Sequence, residues 1–301
     1  MRSNSNLNYA VTVYADTVKQ GIGTSRRQTQ KQYAGQSPLV HSWATHRRYL
    51  DSINQFKNFS QAHGTNRVDR LDVTIRDAWL RKKIRYGVSE NTIKNDICAL
   101  NKFMATIGRS DLKIASHGEW RAQASAAGRA TPYSDPDRVL NHLDDIDKTI
   151  AQLQYLTGAR ISEVKDMILN CESRTVHLDG KGGKERDVSF ADRPERFERI
   201  TDLKAQLERQ IQTAEAYGVT WHEIRTSYYE ELHKACDKAG EDYNGSHDFR
   251  ATYADERFNE LYNRHVAEGM DTDAAESRAD KETSQELGHN REEVTRRYRH
   301  G

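Results

Sequence analysis

Apolar residues recur along this chain at helical spacing and change to strict alternation in one segment. Tyr49, Ile53 and Phe56 share a helical face that stops near Gly64. Ile75, Trp79 and Ile84 mark a second helix, starting after Thr74 and ending at Gly87. Ile93, Ile97, Leu100, Met104 and Ile107 follow Ser89 and keep one face over about four turns before Gly108. A hydroxyl before such a run can accept from the unpaired first-turn N–H groups. A glycine after it takes the left-handed backbone that ends a helix. Leu143, Ile146, Ile150 and Leu153 form another stripe, which halts at Thr157 and Gly158; Ile161, Val164 and Ile168 open the next helix. The period then becomes two. Val176 and Leu178 alternate on one arm, Val188 and Phe190 on the other, and the Gly/Lys run between them is the turn of a β-hairpin. Helices are expected near 196–217 and 221–239, from Ser246 into the 260s, and from Asn290, where Glu293 completes a capping box.

A chain of 301 residues has a two-domain length. Residues 1–36 are polar, with Arg26, Arg27 and Lys31 but no sustained apolar period. They are expected to form a flexible arm holding one short helix near Tyr9 to Val18. Residues 37–110 read as a helical bundle. Residues 111–136, rich in Ala, Ser and Gly and containing Pro132 and Pro136, read as a linker. Residues 137–301 read as a mixed, mostly helical domain. The fold class is mainly α, with an α+β second domain carrying a small hairpin or sheet.

Composition narrows the function. Hydrophobic residues make up 36% and charged residues 30%, and the mean hydropathy is −0.93; modest cores and much wetted surface follow. No run approaches the roughly 18 apolar residues of a membrane span, and MRSNSNLNYA has no signal-peptide core. Cys98, Cys171 and Cys236 make neither a disulfide framework nor a zinc pattern, so a reducing cytoplasm is the expected compartment. The net charge of +1 conceals a split. Residues 1–130 hold 21 Lys+Arg against 9 Asp+Glu, whereas 131–301 hold 25 against 36. A basic half suggests a nucleic-acid partner, or a face that docks on the acidic half. Arg81, Lys82, Lys83 and Arg85 crowd the end of the second helix, where they either hold phosphate or complement the helix dipole.

Four segments hold the unusual residues. TGARISEV sets Arg160 just past a Gly turn, with Glu163 near. DGKGGKERDV sets Lys181 at the hairpin tip. GSHDFRATYA puts His247 and Arg250 three apart, on one helical face. LGHNREEVTRRYRH puts His289 after a Gly turn and Tyr298 nine residues later. Singly, each has a structural explanation: an ion pair, a solvated turn, a cap, a packed ring. Their joint order is far more specific.

In that order the segments resemble the tyrosine recombinase (phage-type integrase) family over about 157–298. The resemblance implies that Tyr298 is the nucleophile and that Arg160 and Arg250 grip the scissile phosphate. It implies that Lys181 is the hairpin lysine, with Lys184 as a substitute, and that His247 and His289 are the two histidine positions. Glu163 accompanies the first arginine, and 37–110 corresponds to a core-DNA-binding domain. The implied activity is site-specific cleavage and rejoining of double-stranded DNA through a 3′-phosphotyrosyl link, in integration or excision of mobile elements. Implied partners are DNA, further copies of the chain in a synaptic tetramer, and accessory DNA-bending or directionality proteins; the implied location is the cytoplasm, on the nucleoid. Alternatives are a type IB topoisomerase-like relaxing enzyme and a catalytically silent DNA-binding regulator. Two features depart from the family pattern. His289 lies 39 positions after Arg250, and three residues follow Tyr298 where many members carry a C-terminal docking segment, so either another surface is expected to serve assembly or this chain has been shortened.

The residue types make chemical sense without the family. Attack on a phosphodiester gathers negative charge on its non-bridging oxygens, and guanidiniums offer fixed bidentate donors for them. A phenol needs a base, for which His247 is the candidate, and a departing 5′ oxygen needs a proton, which a hairpin lysine can supply. No metal-ligand cluster and no nucleotide-binding loop are visible, and no cofactor is expected.

Overall fold

The computed structural model describes residues 6–33, 37–126, 130–180 and 184–288, without the side chains of Arg27 and Lys184. The chain divides into two compact units, Met1–Gly128 and Arg129–Gly301.

The first unit is all helical: α1 (Leu7–Val18), α2 (Arg26–Gln32), α3 (Trp43–Ala62), α4 (Val73–Arg85), α5 (Glu90–Thr106) and the short α6 (Gly118–Ala122). Helix α5 is its centre. Ile93, Ile97, Leu100, Phe103 and Met104 are fully buried, against Phe56 and Trp79 from α3 and α4. Each such side chain contributes about 1.5–3 kcal/mol. Ser89 caps α5 as expected, but α4 begins at Val73, two residues earlier than a start after Thr74, because the Asp72 carboxylate accepts the Ile75 N–H at 2.9 Å.

Two boundaries are corrected. The short helix expected near Tyr9 to Val18 is present as α1, but it is not part of a flexible arm. Leu7, Val11, Tyr14 and Val18 form a stripe at helical spacing that is buried in the core, with Tyr14 edge-on to Phe103 at 5.6 Å. Nor is 111–126 a linker. Leu112 and Ile114 are buried in the same core. Asn101 exchanges hydrogen bonds with both backbone groups of Ile114 at 2.8 and 2.9 Å, and Glu90 N–H donates to the Ser125 carbonyl at 2.8 Å. A Gly/Ala/Ser-rich composition hid a segment pinned by backbone bonds.

The second unit contains α7 (Pro136–Leu140), α8 (Asp145–Thr157), α9 (Ile161–Val164), β1 (Ile168–Asn170), β2 (Thr175–Gly180), β3 (Lys184–Ser189), α10 (Pro194–Ala216), α11 (Trp221–Ala239), α12 (Asp248–Ala267) and α13 (Thr272–Glu286). The strands form one antiparallel sheet in the order β1-β2-β3, with Val176 opposite Val188 and Leu178 opposite Arg186. Ile168 does not continue a helix: it pairs with His177 in β1 and is exposed. The core joins α8, the sheet, α10 and α11. The long interval after Arg250 is filled by the rest of α12 and by α13, which pack through Phe258, Leu261 and Ala279. The helix expected from Asn290 lies outside the described residues. No helix among the described residues is long and apolar enough to cross a membrane.

Candidate active site

The site starts where α8 stops. Gly158 takes φ +64°, and a Cβ there would lie 2.6 Å from the Tyr253 ring, so only glycine fits this exit. Two residues on, Arg160 caps α9. The Glu163 carboxylate accepts the Arg160 backbone N–H at 2.8 Å and its guanidinium at 2.6 Å. The Glu163 side chain is fully buried, whereas 24% of the Arg160 side chain remains exposed. Arg160 therefore keeps a solvent-reachable edge while its orientation is fixed.

A third residue completes this cluster. Arg186 of β3 donates to both Glu163 oxygens, at 3.1 and 2.7 Å. Burial pushes the Glu163 pKa up, but the hydrogen bonds and charges of Arg186 and Arg160 outweigh it and hold the carboxyl at about 2. Arg186 was not among the expected site residues. The signal was present: it falls in phase with Val188 and Phe190, on the core-facing side of the strand.

His247 and Arg250 start α12. Arg250 is fully buried, and its two terminal nitrogens donate to the carbonyl oxygens of Gly158 and Leu287. These are the C-terminal caps of α8 and α13, where the helix dipoles favour a cation. His247 is exposed. Partial desolvation, then the charges of Arg250 and Arg160, hold its imidazole below the ordinary value; Glu163 acts in the opposite direction. A ring so placed is neutral at pH 7 and able to accept a proton. Buried Gln154 ties the two loops together, donating to the carbonyls of Ala159 and Ser246 at 3.4 and 3.3 Å while Tyr228 donates to its oxygen at 2.9 Å.

Arg160, Glu163, His247 and Arg250 thus gather in one place. Lys181, His289 and Tyr298 lie outside the described residues, as does the Lys184 side chain. The Tyr253 phenol on α12 is fully buried and donates to Glu286 at 2.6 Å, and burial raises its pKa far above the phenol range. Of the basic group on α4, Arg81, Lys82 and Arg85 are exposed. Lys83 is not available for phosphate: its ammonium is 2.7 Å from Asp96 and only 14% of its side chain is exposed. Ligand-type atoms do meet at one place among the described residues. His177, Asp179 and Glu185 come within 4.8 Å of one another on the outer hairpin face, where His177 is already hydrogen-bonded to Asp187 at 2.8 Å.

No family model matches the sequence. It is 27% identical over 157 residues to tyrosine recombinase XerC of Bacillus subtilis, covering 47% of this chain and 51% of that protein. It is 25% identical over 172 residues to XerC of Haemophilus influenzae, covering 48% and 58%. The chain thus matches about half the length of these curated relatives. Among solved structures, a lambda integrase dimer bound to a COC′ core site superposes with a TM-score of 0.61 at 14% identity, over 98% of this chain and 77% of the other. The XerH site-specific recombinase bound to its difH substrate gives 0.56 at 15% identity, over 97% and 91%. The ordered motifs, the segment shared with XerC proteins and the common fold lead to one conclusion: this chain is similar in sequence and fold to tyrosine recombinases.

Proposed function

We propose that the chain is a site-specific DNA recombinase that cleaves and rejoins strands through a 3′-phosphotyrosyl intermediate. The observation that supports it most is the meeting of Arg160, Glu163, His247 and Arg250 from segments about 90 residues apart. In the proposed step the Tyr298 oxygen attacks phosphorus, forming a P–O(Tyr) bond as the P–O5′ bond breaks. His247 takes the phenolic proton and Lys181 supplies one to the 5′ oxygen. The solvent-reachable Arg160 meets the phosphate oxygens directly, and Arg250 adds positive charge from its fixed seat behind. His289 hydrogen-bonds the same phosphate. Attack of a 5′-hydroxyl on the phosphotyrosine reverses the step, so the bond is conserved and no nucleotide is consumed. Arg81, Lys82 and Arg85 serve as backbone-phosphate contacts of the first unit. The relatives named above are recombinases and integrases, two of them described on DNA. A synaptic tetramer on two duplexes, accessory DNA-bending proteins and a nucleoid-associated location complete the reading.

The test is covalent capture. The protein is mixed with nicked duplexes of randomised sequence and denatured, and the retained DNA is sequenced. Plasmids carrying two copies of the captured sequence are then offered to it. Adducts followed by recombinant plasmids are expected. Relaxed plasmids without recombinants would transfer the reading to a topoisomerase, and DNA retention with no adduct would reduce it to a binding protein.

A further inference from the structure

Two arginines hold consecutive carbonyls at the end of α13. Arg186 Nε donates to the Glu286 carbonyl at 2.9 Å, and Arg250 donates to the Leu287 carbonyl. Each is also tied to the segment that carries Arg160: Arg186 through both oxygens of Glu163, and Arg250 through the Gly158 carbonyl. The stem of Arg186 lies so close to Gly288 that a Cβ there would meet its Cδ at 3.0 Å, and Gly288 itself sits at φ +64°. The Leu-Gly of the Leu-Gly-His segment is thereby seated on the hairpin strand and on α12 together.

We infer that Arg186 is a positioning residue, which fixes the Arg160–Glu163 pair and the exit of the chain from α13 with a single guanidinium. The inference rests on the proposed recombinase reading, since residues 289 and 298 gain a role only there. Three of the five donors of Arg186 are spent on two partners in directions fixed by its plane. A lysine offers one compact ammonium that can neutralise Glu163 but cannot keep both partners in that geometry. Phosphoryl transfer tolerates little misplacement: a shift of about 1 Å costs on the order of 10²-fold in rate.

The experiment compares Arg186→Met and Arg186→Lys in the full chain. The wild-type adduct rate is read on a captured nicked duplex, together with duplex retention. In free protein two further readouts are taken: amide exchange at residues 286–288 and the titration of Glu163, assigned with Glu163→Gln. Among the described residues Glu163 is faced by the charges of Arg160, Arg186 and His247. Arg186→Met is expected to cleave about 10²-fold more slowly at unchanged DNA retention, to lose protection at 286–288 and to raise the Glu163 titration. Arg186→Lys is expected to keep the low Glu163 titration yet still lose protection and rate. If Arg186→Met does not fold, the lysine variant decides alone. Wild-type rate and protection in a folded variant would overturn the inference, as would a lysine variant indistinguishable from wild type. Should wild type form no adduct at all, the recombinase reading fails, and the exchange and titration results still decide whether Arg186 forms the bridge.

Discussion

The Arg250 guanidinium donates to the carbonyl oxygen of Gly158, ninety-two residues earlier, at the point where α8 turns into the segment that carries Arg160. Two motifs distant in sequence are thus one piece of structure. Gly158 accepts this bond from a left-handed backbone, with the Tyr253 ring filling the space a side chain would need.

Gly158→Ala should therefore be costly. Left-handed backbone costs a non-glycine residue about 1–2 kcal/mol, and the clash with Tyr253 adds about 1–3 kcal/mol. Urea unfolding is expected to show a loss of about 2–5 kcal/mol. Unchanged stability would mean that this exit is not as tight as described.

Glu163 should contribute to acid stability. Its folded value of about 2 lies below an ordinary glutamate value of about 4.3. Its contribution is complete above the ordinary value and disappears as pH falls toward 2. Breaking a buried ion pair costs about 3–5 kcal/mol. Glu163→Gln is thus expected to be less stable at pH 7 and to lose less additional stability between pH 4.5 and 2. Parallel pH–stability curves for the two proteins would contradict this.

His247 should remain a competent base on the acid side of neutrality. Its depressed pKa predicts that the acid limb of cleavage falls below the ordinary histidine range of about 6.5. Arg160→Ala removes one depressing charge and one phosphate donor. The limb should move upward and the rate should fall about 10²–10³-fold. A pH–rate profile of adduct formation reads both, and an unmoved limb would separate His247 from Arg160.

Helix α1 should be structural. Tyr14 is fully buried against Phe103, and its hydroxyl finds no hydrogen-bond partner among the described residues. Tyr14→Ala is expected to cost about 3–5 kcal/mol. Tyr14→Phe should be at least as stable as wild type, since it removes a buried unpaired hydroxyl. Thermal melts of the pair decide it, and a harmless Tyr14→Ala would restore the flexible arm.

Much of the fold was legible because local chemistry and burial agree. Ser89 and Gly108 bracket α5, and Val176, Leu178 and Val188 alternate into the core as a hairpin should. Ile168 misled because it continues the spacing of Ile161 and Val164, and only its pairing with His177 reveals a strand. The helix near Tyr9 to Val18 was legible, but its polar neighbours hid that the Leu7–Val18 stripe is buried in the bundle core. At the site, Arg160, Glu163, His247 and Arg250 could be read from ordered motifs. Gln154 and Arg186 could not be assigned, because their partners lie 5 to 100 residues away and a polar residue on an apolar face declares no role by itself.

The central claim is that a phenolic oxygen near the end of the chain takes hold of a DNA strand beside Arg160 and Arg250. Peptide mapping of the covalent adduct by mass spectrometry tests it most directly. The account predicts a DNA 3′-phosphate on Tyr298, and a Tyr298→Phe protein that retains duplex but yields no adduct. DNA joined to another residue, or joined through its 5′ end, would contradict it.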